Sequence, residues 1–207
     1  MDRASEDYIT AREMILAQSV DARIHICHVS TKGSTEMIRF AKSQGVKVTC
    51  ETAPHYFMFT DKLLEKRDAD YRMNPPLRTD EDVKAIIEGI KDGTIDCIIT
   101  DHAPHAPEEK ADFEKAPNGV LGLETSLAAT LTALYHTGEI TLNKLVELMC
   151  VNPRKILGLD VPEIEKGSTA DLVIADINEK WTVDVNKLHS ISKNSVFKGQ
   201  TLTGKAL

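Results

Sequence analysis

Four short strand-like segments each give way to a polar residue of a kind that does chemistry. Residues 23–29 carry His28 near their end, and residues 46–51 are followed by Thr52-Ala53-Pro54-His55. Residues 69–73 precede Asn74, and residues 95–100 precede Asp101-His102-Ala103-Pro104-His105. Singly, each has an ordinary use: Asn74 before Pro75 forms a turn, Asp101 caps one, and His55 sits in a solvated loop. Together, His28, His55 and Asp101 are two imidazoles and a carboxylate, a donor set that zinc favours. In parallel α/β folds, ligands and catalytic groups gather at the carboxyl ends of strands, so the shared position of these residues is informative in itself. His25 lies three residues from His28, on the opposite face of a regular strand, and reads as a packed or hydrogen-bonded core histidine. Glu51, Glu108, Glu109 and Lys110 read as solvated or locally paired charges. The chain has no GxGxxG, Walker or GxSxG sequence and no HExxH, which removes support for nucleotide-dependent and serine-hydrolase chemistry.

The elements that position these residues alternate. A helix over 5–20 with Ser5 as its cap leads into the strand at 23–29, and a helix over 34–44 into the strand at 46–51. A short helix at 61–66 and a short strand at 69–73 follow, the latter ended by Asn74-Pro75-Pro76 because proline denies a ladder its donors. Thr79 caps a helix in which Val83, Ile86, Ile87 and Ile90 recur at helical spacing, and the strand at 95–100 comes next. The connection 102–122 is long for a compact domain, as functional loops are. Helices over 124–136 and 142–150 complete an α/β unit spanning 1–158. From 159 to 207 the texture changes to a small β module with strands at 171–174, 181–183 and 195–197.

Of the 207 residues, 42% are hydrophobic and 28% charged, a globular balance. The formal charge of −7 offers no basic stripe for a phosphate backbone, so nucleic acid is excluded as a partner. No stretch approaches the roughly 18 apolar residues of a membrane span, and the first residues contain no apolar signal segment. The four cysteines, Cys27, Cys50, Cys97 and Cys150, form no CxxC pair, which fits a reducing, cytoplasmic setting.

Thr100-Asp101-His102-Ala103-Pro104-His105, with Lys110 following, resembles the signature of dihydroorotases of the bacterial type I, in the amidohydrolase superfamily. The resemblance extends in order through His28-Val29-Ser30-Thr31, Glu51-Thr52-Ala53-Pro54-His55, Met73-Asn74-Pro75-Pro76-Leu77-Arg78 and Gly122-Leu123-Glu124-Thr125. It continues through Lys166-Gly167-Ser168-Thr169-Ala170-Asp171, Trp181-Thr182-Val183-Asp184 and Asn194-Ser195. It implies a (β/α)8 TIM-type metallo-dependent hydrolase barrel, of which this chain matches strands five to eight and the β tail. It further implies zinc ligation by His28, His55 and Asp101, general acid/base work by Asp101, and substrate contacts at Asn74, His105, Asn118 and Gly119. The implied reaction is the reversible interconversion of N-carbamoyl-L-aspartate and L-dihydroorotate in pyrimidine synthesis. Tyr56 stands where a second histidine is common in the family, and Asn118 where phenylalanine is common.

The resemblance also implies two Zn2+ per complete site, with a His-x-His-x-Arg on the first strand and a bridging group on the fourth. None of the seven histidines stands two residues from another, so that pair is absent from this sequence. A complete barrel usually takes about 250 residues. The expectation is therefore a fragment with little activity alone, completed by the missing half or by a homo-oligomeric partner. The alternatives are a non-catalytic scaffold that binds a pathway partner such as aspartate transcarbamoylase, and a related cyclic amidohydrolase (allantoinase or hydantoinase).

Overall fold

In the computed structural model, residues 2–161 and 163–207 are described; Met1 and Pro162 lie outside them. Helix α1 (Arg3–Ser19) starts one turn earlier than the periodicity predicts, because the Asp2 side chain accepts from the Ala4 amide and takes the cap from Ser5. Strand β1 (Ile24–Ile26), helix α2 (Lys32–Ser43) and strand β2 (Val48–Thr52) follow in the expected order. The Thr31 side chain caps α2 by accepting from the Ser34 amide. A short helix α3 (Pro54–Met58) begins on the proline after β2. Helix α4 (Asp80–Asp92) leads to strand β3 (Cys97–Ile98).

The strands form one parallel sheet in the order β1-β2-β3, with Ile24 opposite Val48 and Glu51 opposite Cys97. Parallel neighbours need crossovers, which α2 and α4 supply. Along β2 burial alternates, with Val48, Cys50 and Thr52 covered and Thr49 and Glu51 half-open. The covered face packs into a core containing Ile38, Ile86, Ile90, Leu131, Leu134 and Leu148. The other face meets no comparable layer among the described residues.

Helices α5 (Ser126–Thr130) and α6 (Leu142–Val146) each run on into a wider turn, and α7 (Asn152–Ile156) closes the helical part. Strands β4 (Ala175–Thr182) and β5 (Thr201–Ala206) pair antiparallel in a second sheet. A second apolar cluster joins this ribbon to α5 through Ala128, Ala129, Val183, Phe197 and Leu202. Gly204 permits the contact, since a Cβ there would lie 2.3 Å from Leu131 Cδ1.

The sequence reading needs correcting in four places. Residues 69–73 form no strand; Ala69–Tyr71 is a turn of 3-10 helix, capped by Asp68. Residues 171–174 lie outside the strands, with Leu172, Val173 and Ile174 exposed, because the ladder partner of β4 ends at Ala206, opposite Ala175. Residues 195–197 are buried but not extended, and β5, a strand of mixed polar and small residues, escaped the reading. The strand expected at 95–100 shortens to Cys97–Ile98. No helix among the described residues is long and apolar enough to cross a membrane.

Candidate functional site

His28 and Asp101 leave their strands by the same device. Both adopt left-handed backbone, with φ of 39° and 46°, which non-glycine residues rarely do outside functional or tightly turned positions. The left-handed turn at His28 departs from regular strand geometry, and residues 25–28 border one cavity of about 460 Å3, together with Asn74. His25 is hydrogen-bonded, as one of its two sequence readings has it, but half-open rather than enclosed in the core. Its Nε2 lies 3.0 Å from Glu51 Oε2, and Glu51 is half-buried rather than solvated.

His55 comes from α3 and is 1% exposed. Its Nε2 has no hydrogen-bond partner and lies 3.8 Å from Asp101 Oδ2. Burial and the neighbouring His28 push the His55 imidazole down to about 3, so it is neutral at pH 7 and presents a lone pair. Burial raises the Asp101 carboxyl above the usual range; the nearby His28 opposes that rise and Glu51 adds to it. A buried acceptor facing a carboxylate leaves a gap suited to a cation. Tyr56, the residue after His55, is buried and its hydroxyl donates to the Pro75 carbonyl at 2.8 Å, tying the end of β2 to the segment that carries Asn74.

Two loop segments are held to α1 by one carboxylate. Glu6 of α1 accepts from the Ser30 amide at 2.9 Å, the Thr31 amide at 3.1 Å, and Arg78 Nη2 at 3.1 Å. Arg78 Nε donates to Ser30 Oγ at 3.0 Å. The loop leaving His28 and the segment following Asn74 are thus fixed to each other and to α1.

The remaining candidates gather in the loop beyond β3. His105 Nε2 is 3.0 Å from the Asn118 carbonyl oxygen, and Arg72 Nε donates to Asn118 Oδ1 at 3.1 Å. Gly119 has φ of 144°, and a Cβ there would lie 2.5 Å from Ala103 Cβ and 2.8 Å from His105 Nε2. Two residues organise this loop. Asn194 donates from Nδ2 to the Ala103 and Gly119 carbonyls, both at 3.0 Å, and accepts from the His105 amide at 3.2 Å. Lys110 donates to the carbonyls of Arg72, Pro117 and Gly119 at 3.0–3.2 Å, so it is a loop clasp rather than a solvated charge. Neither role has a local sequence signal, since both depend on carbonyls distant along the chain.

The amidohydrolase family model matches residues 8–204. Proteins named dihydroorotase from Acetivibrio thermocellus and Geobacter metallireducens are 52% and 53% identical, over 97% and 98% of this chain. The chain spans about half the length of these curated relatives, 47% and 48% respectively. Among solved structures, an L-hydantoinase (dihydropyrimidinase) from Arthrobacter aurescens matches with a TM-score of 0.90 and 34% identity, covering 97% of this chain and 46% of the hydantoinase. A D-hydantoinase (dihydropyrimidinase) from Thermus sp. matches with a TM-score of 0.92 and 26% identity, covering 99% and 47%. Because the family match takes in both sheets and every strand-end residue described above, the chain belongs to the amidohydrolase family.

Proposed function

We propose that this chain provides one part of a dihydroorotase active site, with His28, His55 and Asp101 as zinc ligands. The observation that carries the reading is the orphaned, buried His55 Nε2 facing the Asp101 carboxylate at 3.8 Å. The identity of about half its residues to dihydroorotases favours that substrate class over the hydantoins. In this reading residues 1–158 supply strands five to eight of a (β/α)8 barrel and residues 159–207 part of a small β domain. The other metal ligands, including those for a second Zn2+, and the group that binds the substrate carboxylate come from a further polypeptide segment or a partner copy. The setting is cytoplasmic, in keeping with cysteines that are all unpaired.

A zinc ion held by these residues would supply Lewis acidity toward the ring amide and toward water. Asp101, on a strand end beside His55, takes the proton from the attacking water and returns it to the departing ring nitrogen, serving both half-steps. Its carboxyl, raised by burial, holds a proton more tightly than a solvated one, which suits a group that must take a proton from water. His55 stays neutral and so remains a donor to the metal. Asn74 borders the cavity next to His28, where it can bind polar substrate atoms. His105 and the backbone at Asn118 and Gly119 form the far wall, held by Asn194 and Lys110.

The hydantoinase likeness of the fold supports a second reading, a hydantoinase-type cyclic amidohydrolase. A non-catalytic scaffold, such as a companion of aspartate transcarbamoylase, has no use for a buried unpaired imidazole. The experiment that separates these mixes the purified chain with the remaining, amino-terminal half of the Acetivibrio thermocellus dihydroorotase, in Zn2+, and assays dihydroorotate, hydantoin and allantoin. Turnover of dihydroorotate that vanishes in Asp101→Asn is expected, with little turnover by the chain alone. Preference for hydantoin or allantoin would select the second reading. Activity unaffected by Asp101→Asn would defeat both enzymatic ones.

A further inference from the structure

Beneath the strand-end site, the half-open face of the parallel sheet carries a second donor set from three neighbouring strands. His25 Nε2, a Glu51 carboxylate oxygen and Cys97 Sγ all lie within 4.8 Å of one another. Their convergence follows from register: Glu51 and Cys97 are directly paired across β2 and β3, while His25 pairs with Thr49, two residues from Glu51 on the same face. None of the three belongs to the proposed zinc set of His28, His55 and Asp101.

The hydrogen bonds around His25 favour a ligand role. Its Nδ1 is 2.8 Å from Thr49 Oγ1, and that hydroxyl is 3.5 Å from the Ile24 carbonyl oxygen. The metal-free ring is satisfied by the Thr49 hydroxyl at Nδ1 and by Glu51 at Nε2; with a cation on Nε2, Nδ1–H would donate to Thr49 instead, the arrangement that orients metal-bound histidines. Nε2 lies 3.0 Å from Glu51 Oε2, and a bound cation would take the place of the proton that these two atoms share. We propose that His25, Glu51 and Cys97 form a separate site for a divalent cation of borderline softness, such as Zn2+, Co2+ or Cd2+, which staples β1, β2 and β3 together.

The charges balance, since one carboxylate and one thiolate neutralise the cation. Burial and the Glu51 charge push the Cys97 thiol up to about 12, so the metal-free cluster holds a thiol, and binding releases its proton to solvent. Solvent reaches the cluster through His25 and Glu51, which are 25% and 17% exposed.

The test is a Co2+ titration of the 207-residue chain followed by absorption, because a thiolate ligand gives a sulfur-to-cobalt charge-transfer band and single variants separate Cys97 from the exposed Cys27 and Cys150. The band should appear with one equivalent, persist in Asp101→Asn, in Cys27→Ala and in Cys150→Ala, and disappear in Cys97→Ala. Unfolding in Co2+ should move to higher temperature in the wild type and in Asp101→Asn. Absence of the band in the wild type, or its survival in Cys97→Ala, would overturn the proposal. Should Cys97→Ala not fold, Glu51→Gln, of nearly the same size, decides the matter: at least a tenfold loss of Co2+ affinity is expected, and an unchanged affinity overturns it.

Discussion

The Nε2 atom of His55 and the Oδ2 atom of Asp101 face each other across 3.8 Å at the ends of two neighbouring strand segments, and the imidazole nitrogen has no other partner. Burying an unpaired nitrogen costs roughly 1–3 kcal/mol, which the fold bears at this one imidazole. A cation in the gap would recover that cost. His55→Gln should therefore weaken Zn2+ binding at the strand-end site by more than the roughly 10–100-fold typical of losing an orienting partner. Isothermal titration with Zn2+, run in a Cys97→Ala background to remove the sulfur site, measures this. Equal affinity with and without the imidazole would show that His55 is not a ligand.

Glu6 ties the His28 loop, the segment following Asn74 and helix α1 into one unit through Ser30, Thr31 and Arg78. Arg78 is 5% exposed, so its hydrogen bond to Glu6 is shielded from water. Hydrogen bonds to charged groups of this kind contribute about 1.5–3 kcal/mol. Glu6→Ala should lower stability by about that amount in urea unfolding, and Glu6→Gln by less, because the amide oxygen still accepts from the Ser30 and Thr31 amides. A Glu6→Ala protein as stable as the wild type would mean that the two segments and α1 are held together by other contacts.

The long loop after β3 depends on Asn194, which is 3% exposed and reaches it from the C-terminal part of the chain. Asn194→Ala leaves the carbonyls of Ala103 and Gly119 and the amide of His105 without that partner. Hydrogen exchange should rise at residues 103–121 while protection in α2 and α4 stays at its wild-type level. Uniform acceleration across the chain would instead make Asn194 a global stability residue, and no acceleration would remove it from the loop altogether.

Much of this arrangement is legible in the sequence, and the exceptions have physical reasons. His28, His55 and Asp101 stand out because each follows an apolar, β-branched run, and α2 and α4 because their apolar residues recur at helical spacing. The role of His25 is hidden, since periodicity separates two strand faces without saying which one the helices cover, and the left-handed turn at His28 alters the count. Residues 171–174 have strand-like composition without strand structure, whereas β5 has a weak pattern and pairs because β4 lies beside it. Lys110 and Asn194 bind carbonyls from distant parts of the chain, and no local spacing encodes such contacts.

The N-terminus of α4 provides a pH test remote from both metal sets. Burial acts to raise the Asp82 carboxyl, but hydrogen bonds from the Lys32 amide and from the Thr79 hydroxyl and amide, with the Arg3 charge, outweigh it and hold the group below its ordinary 3.8. A carboxyl depressed in the folded state contributes stability above its unfolded value, and that contribution is lost as pH falls through the folded one. Asp82→Ala should thus cost about 1–2 kcal/mol at pH 7, in the range of a lost helix cap. The gap between wild type and variant should narrow as the pH is lowered below 3.8, with protonation removing in the wild type what the substitution has already removed. Urea unfolding of both proteins at pH 7, 5 and 3 follows the gap. A gap that stays constant or widens toward acid would show that Asp82 stabilises the helix start through packing rather than through its charge.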